Sequence, residues 1–85
     1  MKAFLTVLGH DRVGIIADIS ARLARHNINI LDITQTILHD YFTMVMFLDM
    51  SQSDADIAAL QAEFADYDLD VRVQHEEIFN KMHRV

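Results

Sequence analysis

Gly9-His10-Asp11-Arg12-Val13-Gly14-Ile15-Ile16 separates two segments of the chain that have different hydrophobic periods. Residues 2–8 before it alternate, imperfectly, between apolar and polar side chains, which is typical of a buried strand. After it, apolar residues recur at the i, i+3 and i+7 spacing of one helix face: Ile16, Ile19 and Leu23. Asp11 stands where a helix N-cap is expected. The stretch therefore predicts a strand, a tight bend and a helix of about 13 residues.

The rest of the chain repeats this strand and helix in a βαββαβ order. Asn27 ends the first helix and a second strand runs to about residue 38, followed by a hairpin at residues 39–41 and a third strand over 42–50. A second helix starts at residues 51–54, with Ser53 and Asp56 at the spacing of a capping box. A fourth strand is predicted over 69–74. We therefore predict one α+β domain over residues 1–85, with residues 79–85 as a C-terminal tail or short helix.

This order is that of the ferredoxin-like fold, a four-stranded antiparallel sheet with two helices on one face. Right-handed crossovers place the first strand between the third and the fourth, and the second strand outside the third. In the third strand one face carries Phe42, Met44, Met46, Leu48 and Met50, and the other carries Val45 and Phe47. Both faces are thus apolar, although the helices cover only one. An apolar open face favours a partner surface, although the C-terminal tail could fold over part of it.

Composition narrows the class of protein. The chain has 85 residues, no cysteine and a formal net charge of −6. A domain this small gains from association with another copy, because disulfides and thiolate zinc sites are excluded. Its scattered basic residues argue against direct nucleic-acid binding. We find no apolar run of about 20 residues for a membrane span and no signal peptide, so we expect a cytoplasmic protein.

The bend between the first strand and the first helix is the candidate binding site. Gly9 and Gly14 permit close backbone approach, and the amides at the helix start suit a carboxylate. His10 and Asp11 add groups that can bind an amine or a hydroxyl. These parts fit an amino acid or a similar small zwitterion. The alternative is structural: Asp11 only caps the helix and His10 is a solvated loop residue.

The bend and the later run Asn27-Ile28-Asn29-Ile30 together resemble the ACT domain pattern, in which an Asp-Arg-Pro-Gly loop opens the helix and Asn-Ile begins the second strand. The chain is most similar to small stand-alone ACT domain proteins, and the glycine cleavage system transcriptional repressor looks like a relative. The resemblance implies a regulatory, non-catalytic module that binds an amino acid between two copies. The ligand-facing positions that it implies are His10, Asp11, Val13, Gly14, Ile15, Ile16, Asn27, Asn29 and Ile30. Val13 departs from the pattern, because many ACT domains have proline there.

The length of the first helix separates these two sets of positions by roughly 20 Å, so one copy cannot bring both to a small ligand. If the second strand pairs with its mate across a two-fold axis, the bend of one copy approaches the strand start of the other. We therefore predict a homodimer or a higher oligomer, with ligand binding and association coupled.

Other functions have less support in the sequence. The histidines lack the spacing of a metal site, and Asp66, Asp68 and Asp70 lack the glycine and glutamate of an EF-hand loop. No serine has a predictable base, so we predict no catalytic residues and no cofactor. The remaining alternative is a protein-interaction or adaptor module without an effector.

Overall fold

The computed structural model describes residues 1–82. It contains three helices and four strands: β1 (Lys2–His10), α1 (Ile15–Arg25), β2 (Asn29–Leu38), β3 (Tyr41–Asp49), α2 (Ile57–Glu63), β4 (Asp70–His75) and α3 (Glu76–Met82). The strands form one antiparallel sheet in the order β2-β3-β1-β4. The predicted fold class and strand order are confirmed.

The core lies between one sheet face and the helices α1 and α2. Alternate residues of β3 point into it, and all four are nearly inaccessible to solvent: Phe42, Met44, Met46 and Leu48. Residues of β1 that pair with them are also buried, among them Leu5 opposite Met46. From the other side α1 contributes Ile15, Ile19 and Leu23, and α2 contributes Leu60. The predicted face of α1 is wrong at one position, because Ile15 is buried in place of Ile16, which is 39% exposed.

The start of α1 differs from the prediction. Asp11 is not the N-cap: β1 continues to His10, and the cap is Gly14, in the left-handed conformation with φ 87° and without a capping side chain. The backbone N–H of Asp11 instead donates to the carbonyl of Asp40 at 2.7 Å. Because β1 takes two more residues into the sheet, the helix begins later and has 11 residues rather than about 13.

The capping box predicted at α2, with Ser53 as the N-cap, does not form. Asp56 is the N-cap, and its carboxylate accepts from the N–H of Ala59 at 2.8 Å. Ser53 bonds instead with the backbone of Ala55. The helix therefore starts at Ile57, after a loop that the sequence placed inside it.

The sheet face away from α1 and α2 is partly covered, which corrects the expectation of a face without a helix. α3 packs on it, with Phe79 stacked on Phe4 at 4.1 Å between ring centroids and Phe47 next to Phe4 at 4.8 Å. Of the predicted tail, residues 79–82 belong to this helix and residues 83–85 lie outside the described part. Exposed apolar side chains remain at the other end of the face: Leu8, Leu38 and Tyr41. Among the described helices, none has the length and apolar character needed to cross a bilayer.

Candidate functional site

A pocket of about 330 Å³ lies beside the first turn of α1. Its lining comes from the bend, the helix start and the neighbouring strands: Asp11, Arg12, Gly14, Ile15, Ile16, Ala17, Gln35, Ile37 and Phe42. The first amides of a helix have no intrahelical partners; the first amide bonded within α1 is that of Asp18, to the carbonyl of Gly14 at 2.9 Å. The pocket therefore combines backbone donors with an apolar wall.

The bend that forms this pocket is anchored through Arg12. Its guanidinium donates to both carboxylate oxygens of Asp68, at 2.5 and 2.9 Å, and to the hydroxyl of Tyr67 at 3.0 Å. Tyr67 donates in turn to Asp18 on α1 at 2.6 Å. The hydrogen bond from Tyr67 lowers the pKa of Asp18, and the one from Arg12 lowers the pKa of Asp68. This network ties the bend to the loop between α2 and β4.

A second pocket, of about 320 Å³, lies at the opposite end of α1. It is lined by Ala24, Asn27, Ile28, Asn29, Asp49, Ser51 and Gln52. The carboxylate of Asp49 accepts from the N–H of Ser51 at 2.9 Å, and this bond lowers the pKa of Asp49. The carboxylate therefore stays ionised and can attract a cation.

The predicted site residues divide between these pockets. Asp11, Gly14, Ile15 and Ile16 line the first, whereas Asn27 and Asn29 line the second. The other three predicted positions line neither of them: His10, Val13 and Ile30.

These last three side chains have other surroundings. His10 stacks on Tyr41, and its Nδ1 lies 3.4 Å from the carboxylate of Asp40. Val13 is 98% exposed, and Ile30 packs on the core. The alternative reading of His10 as a surface residue agrees with this geometry.

Asn27 has a structural role that its place in the family pattern does not reveal. It adopts a left-handed φ of 58° just after the C-cap of α1, and its side-chain amide donates to the carbonyl of Gln52 at 3.1 Å. Asparagine tolerates this conformation better than most residues. Asn29, which begins β2, is exposed and is the better placed of the two to meet a ligand.

Sequence reasoning missed several lining residues. Gln35 and Ile37 reach the first pocket from β2, and Asp49 reaches the second from the end of β3. Residues two apart on a strand lie on one face, so Ile33, Gln35 and Ile37 share a face of β2. Gln35 and Ile37 become candidates for the pocket once that face is known to lie beside α1. The sequence contains no comparable sign for Asp49.

A histidine clamps the C-terminal end of α1 to the loop before α2 and to the last residue of α2. His26 Nδ1 lies 2.9 Å from the carboxylate of Asp54, and its Nε2 bonds to Glu63. Arg25 also pairs with Glu63, at 3.4 Å. The hydrogen bonds to Asp54 and Glu63 raise the pKa of His26, and the bond from His26 lowers that of Glu63. The clamp thus favours a charged imidazolium between two carboxylates.

Comparison with known families decides the identity of this fold and bend. The profile of the ACT domain family matches residues 3–75, which include all four strands and both pockets. The chain belongs to the ACT domain family. ACT domains are regulatory modules that bind small molecules such as amino acids.

Individual relatives of this ACT domain agree. A UPF0237 protein of Clostridium perfringens is 49% identical over 89 aligned positions, which cover the whole of both chains. The structure of an ACT domain protein from Streptococcus pneumoniae is 37% identical, covers 93% of each chain and superposes with a TM-score of 0.79. A candidate glycine cleavage system transcriptional repressor shares the fold, with 20% identity and a TM-score of 0.70, over 88% of this chain and 47% of that one. The predicted resemblance is confirmed.

Within residues 1–82 of this ACT domain, no three histidine or acidic side chains converge on a point where they could hold a metal ion. The strongest polar cluster, around Tyr67, is consumed by its own hydrogen bonds. The two pockets contain six of the nine predicted site residues, so the proposal of a small-molecule function rests on them.

Proposed function

We propose that this ACT domain is a non-catalytic regulatory module that binds an amino acid, or a similar small zwitterion, between two copies of the chain. The observation that carries the proposal is the separation of two complementary half-sites. One half-site offers backbone amides at Gly14, and the other offers Asn29 and the carboxylate of Asp49. The 11 residues of α1 hold them about 16 Å apart.

A second copy joins the half-sites if the two β2 strands pair antiparallel. In that arrangement the end of β2, beside Gly14, meets the start of β2 in the mate, beside Asn29. The edge of β2 suits such pairing, because nearly all of its residues are exposed and it has a neighbour only at β3. Ile33 and Ile37, 40% and 50% exposed, supply apolar area along it.

The chemistry of the joined site fits a zwitterion. The amides of the first turn of α1 and its dipole attract a carboxylate. The carboxylate of Asp49 and the amide oxygen of Asn29 suit an ammonium group. Ile16 and Ile37 form an apolar wall for a side chain. Binding at such a site stabilises the pair of copies, and this coupling is the signal that the module transmits.

A thermal-shift screen against the standard amino acids tests the proposal. A ligand at about 100 times its Kd adds about 2.7 kcal/mol to the stability of the species that binds it. We expect one or a few amino acids to raise Tm and to increase the dimer fraction in gel filtration. A one-chain mass with and without every amino acid contradicts the proposal. Dimers without any Tm shift favour the adaptor alternative, for which the exposed side chains Leu8, Leu38 and Tyr41 provide a surface.

Gly14→Asp locates the site. The variant puts a carboxylate against the amides that bind the ligand's carboxylate, so we expect the Tm shift to disappear. Asp is among the residues that tolerate a positive φ, which limits the loss of folding. Val13→Asp is the matched control, because it adds the same charge to the same bend at a side chain that is 98% exposed and does not line the pocket. A Tm shift that survives in Gly14→Asp, or is lost equally in both variants, contradicts this placement.

A further inference from the structure

The two edges of the sheet differ in a way that limits how copies can associate. We infer that Gln61 closes the β4 edge of the sheet, so that a second copy can extend the sheet only at β2. The inference concerns assembly geometry, and it rests on the proposed pairing only for the part played by β2.

Gln61 lies on α2 and uses its whole side-chain amide on the backbone of β4. Its Nε2 donates to the carbonyl of Val71 at 2.8 Å, and its Oε1 accepts from the N–H of Val73 at 2.8 Å. Val71 and Val73 are two residues apart, so their backbone groups lie on the same side of the strand. β4 has a neighbour only at β1, and these groups lie on its other side. The amide therefore occupies the place of a paired strand residue.

The remaining part of the β4 edge is short. The strand has six residues, so only three of them direct backbone groups outward. Gln61 engages one backbone group on each of two of these three, the carbonyl of Val71 and the N–H of Val73. Short strands and capped backbone groups are established ways of preventing an edge from pairing with another chain. The β4 edge has both features.

β2 lacks such a cap along most of its length. A two-residue turn joins Leu38 to Tyr41, which makes this a hydrogen-bonded pair. Residues of a strand alternate between bonding to the neighbouring strand and facing away from it. Because Leu38 bonds to β3, the odd-numbered residues Ile33, Gln35 and Ile37 direct their backbone groups away from β3. Only the N–H of Ile33 has a side-chain acceptor among the described residues, Asp32 at 2.8 Å.

The consequence is a closed assembly. Pairing of β2 with β2 consumes the open edge of both copies, and a two-fold pair then ends in two β4 edges. If β4 were open as well, pairs could join end to end into longer sheets. Gln61 is thus the residue that limits the assembly to a pair and prevents further sheet extension.

Gln61→Ala tests this inference without adding apolar area. We expect its mass by light scattering, over a concentration series, to rise at least one association step above that of the wild type. Ala58→Leu is the control, because it changes an exposed position of the same helix and leaves the amide of Gln61 in place. Its mass should match the wild type.

Hydrogen exchange at Val73 gives a second readout that does not depend on the size measurement. The Val73 N–H should be protected in the wild type at every concentration. In Gln61→Ala it should exchange fast when dilute and become protected as association proceeds. A wild-type mass with unchanged Val73 protection in Gln61→Ala overturns the inference. A wild type of one-chain mass whose Gln61→Ala variant associates supports the inference and contradicts the β2 pair.

Discussion

Single residues of this domain derive their importance from backbone geometry. Gly14 has a φ of 87°, and a Cβ built there has no heavy atom within 4 Å. The need for glycine is therefore conformational and not steric. Gly9 is the opposite case, because a Cβ there would come within 3.0 Å of Leu69.

We expect Gly14→Ala to lower the free energy of unfolding by about 1 kcal/mol, the cost of a left-handed backbone for a residue with a Cβ. Gly14→Asn should lose less, because asparagine adopts this region more readily. Urea unfolding of the three proteins measures both. Equal losses for Ala and Asn would show that the conformation of Gly14 is not the cause.

Elements of the domain are joined by two polar clusters at opposite ends of α1. The Arg12, Tyr67 and Asp68 cluster holds the bend to the loop before β4. The His26 clamp holds the other end to α2. Each cluster sits beside one pocket, so each fixes the element that carries a half-site.

The hydroxyl of Tyr67 is the centre of the first cluster. Tyr67→Phe should cost about 1 kcal/mol, since it removes the bonds to Asp18 and Arg12. It keeps the edge contact of the ring with Phe64 at 5.4 Å. Tyr41→Phe, at a 50% exposed ring on the sheet, is the matched control and should change stability little. Chemical denaturation compares them, and an equal effect in the two variants contradicts a role for the Tyr67 hydroxyl.

The His26 clamp makes stability depend on pH. Since Asp54 and Glu63 raise the pKa of His26 in the folded state, its contribution is complete below the unfolded value of about 6.5. It is lost as pH rises through the higher folded pKa. We expect the wild type to lose about 1 kcal/mol or less over this window relative to His26→Gln. Urea unfolding of both proteins at a series of pH values measures this difference in stability. The same pH dependence in the two proteins would contradict a contribution from the His26 clamp.

At the scale of the whole molecule, the two edges of the sheet differ in length and in exposure. β4 is short and engaged by Gln61, whereas β2 is ten residues long and exposed. α3 covers one end of the open sheet face through Phe79. The β2 edge lies beside both pockets, and it is the surface through which we propose that a second copy completes the site.

Gln35→Pro tests the β2 pair directly. The N–H of Gln35 faces away from β3, so proline there removes a group that only a partner strand would use. We expect the dimer Kd to weaken at least about tenfold, which corresponds to about 1.4 kcal/mol. Gln35→Ala is the control, because it removes the same side chain and keeps the N–H. Sedimentation velocity reads the masses; a proline variant as dimeric as the alanine one contradicts pairing through this edge.

The order of elements and the arrangement of strands follow from local patterns in the sequence. The alternation in residues 42–48 and the helical period of residues 15–23 depend on neighbouring residues alone. With right-handed crossovers, they leave the observed strand order as the expected one. The period identified the helix, although the structure buries Ile15 and not Ile16. The presence of a bend between Gly9 and Gly14 was also predicted, because its glycines and its family pattern are contiguous, but the position of the N-cap within it was not.

Contacts between residues that are distant in the sequence could be identified only from the folded structure. The N-cap of α1 is Gly14 and not the predicted Asp11, because β1 and β3 pair as far as His10 and Tyr41. Gln61 reaches β4, and Phe79 reaches Phe4, only after the helices have packed on the two sheet faces. Periodicity assigns a residue to a face, but the partner that it meets there depends on how the faces come together in space.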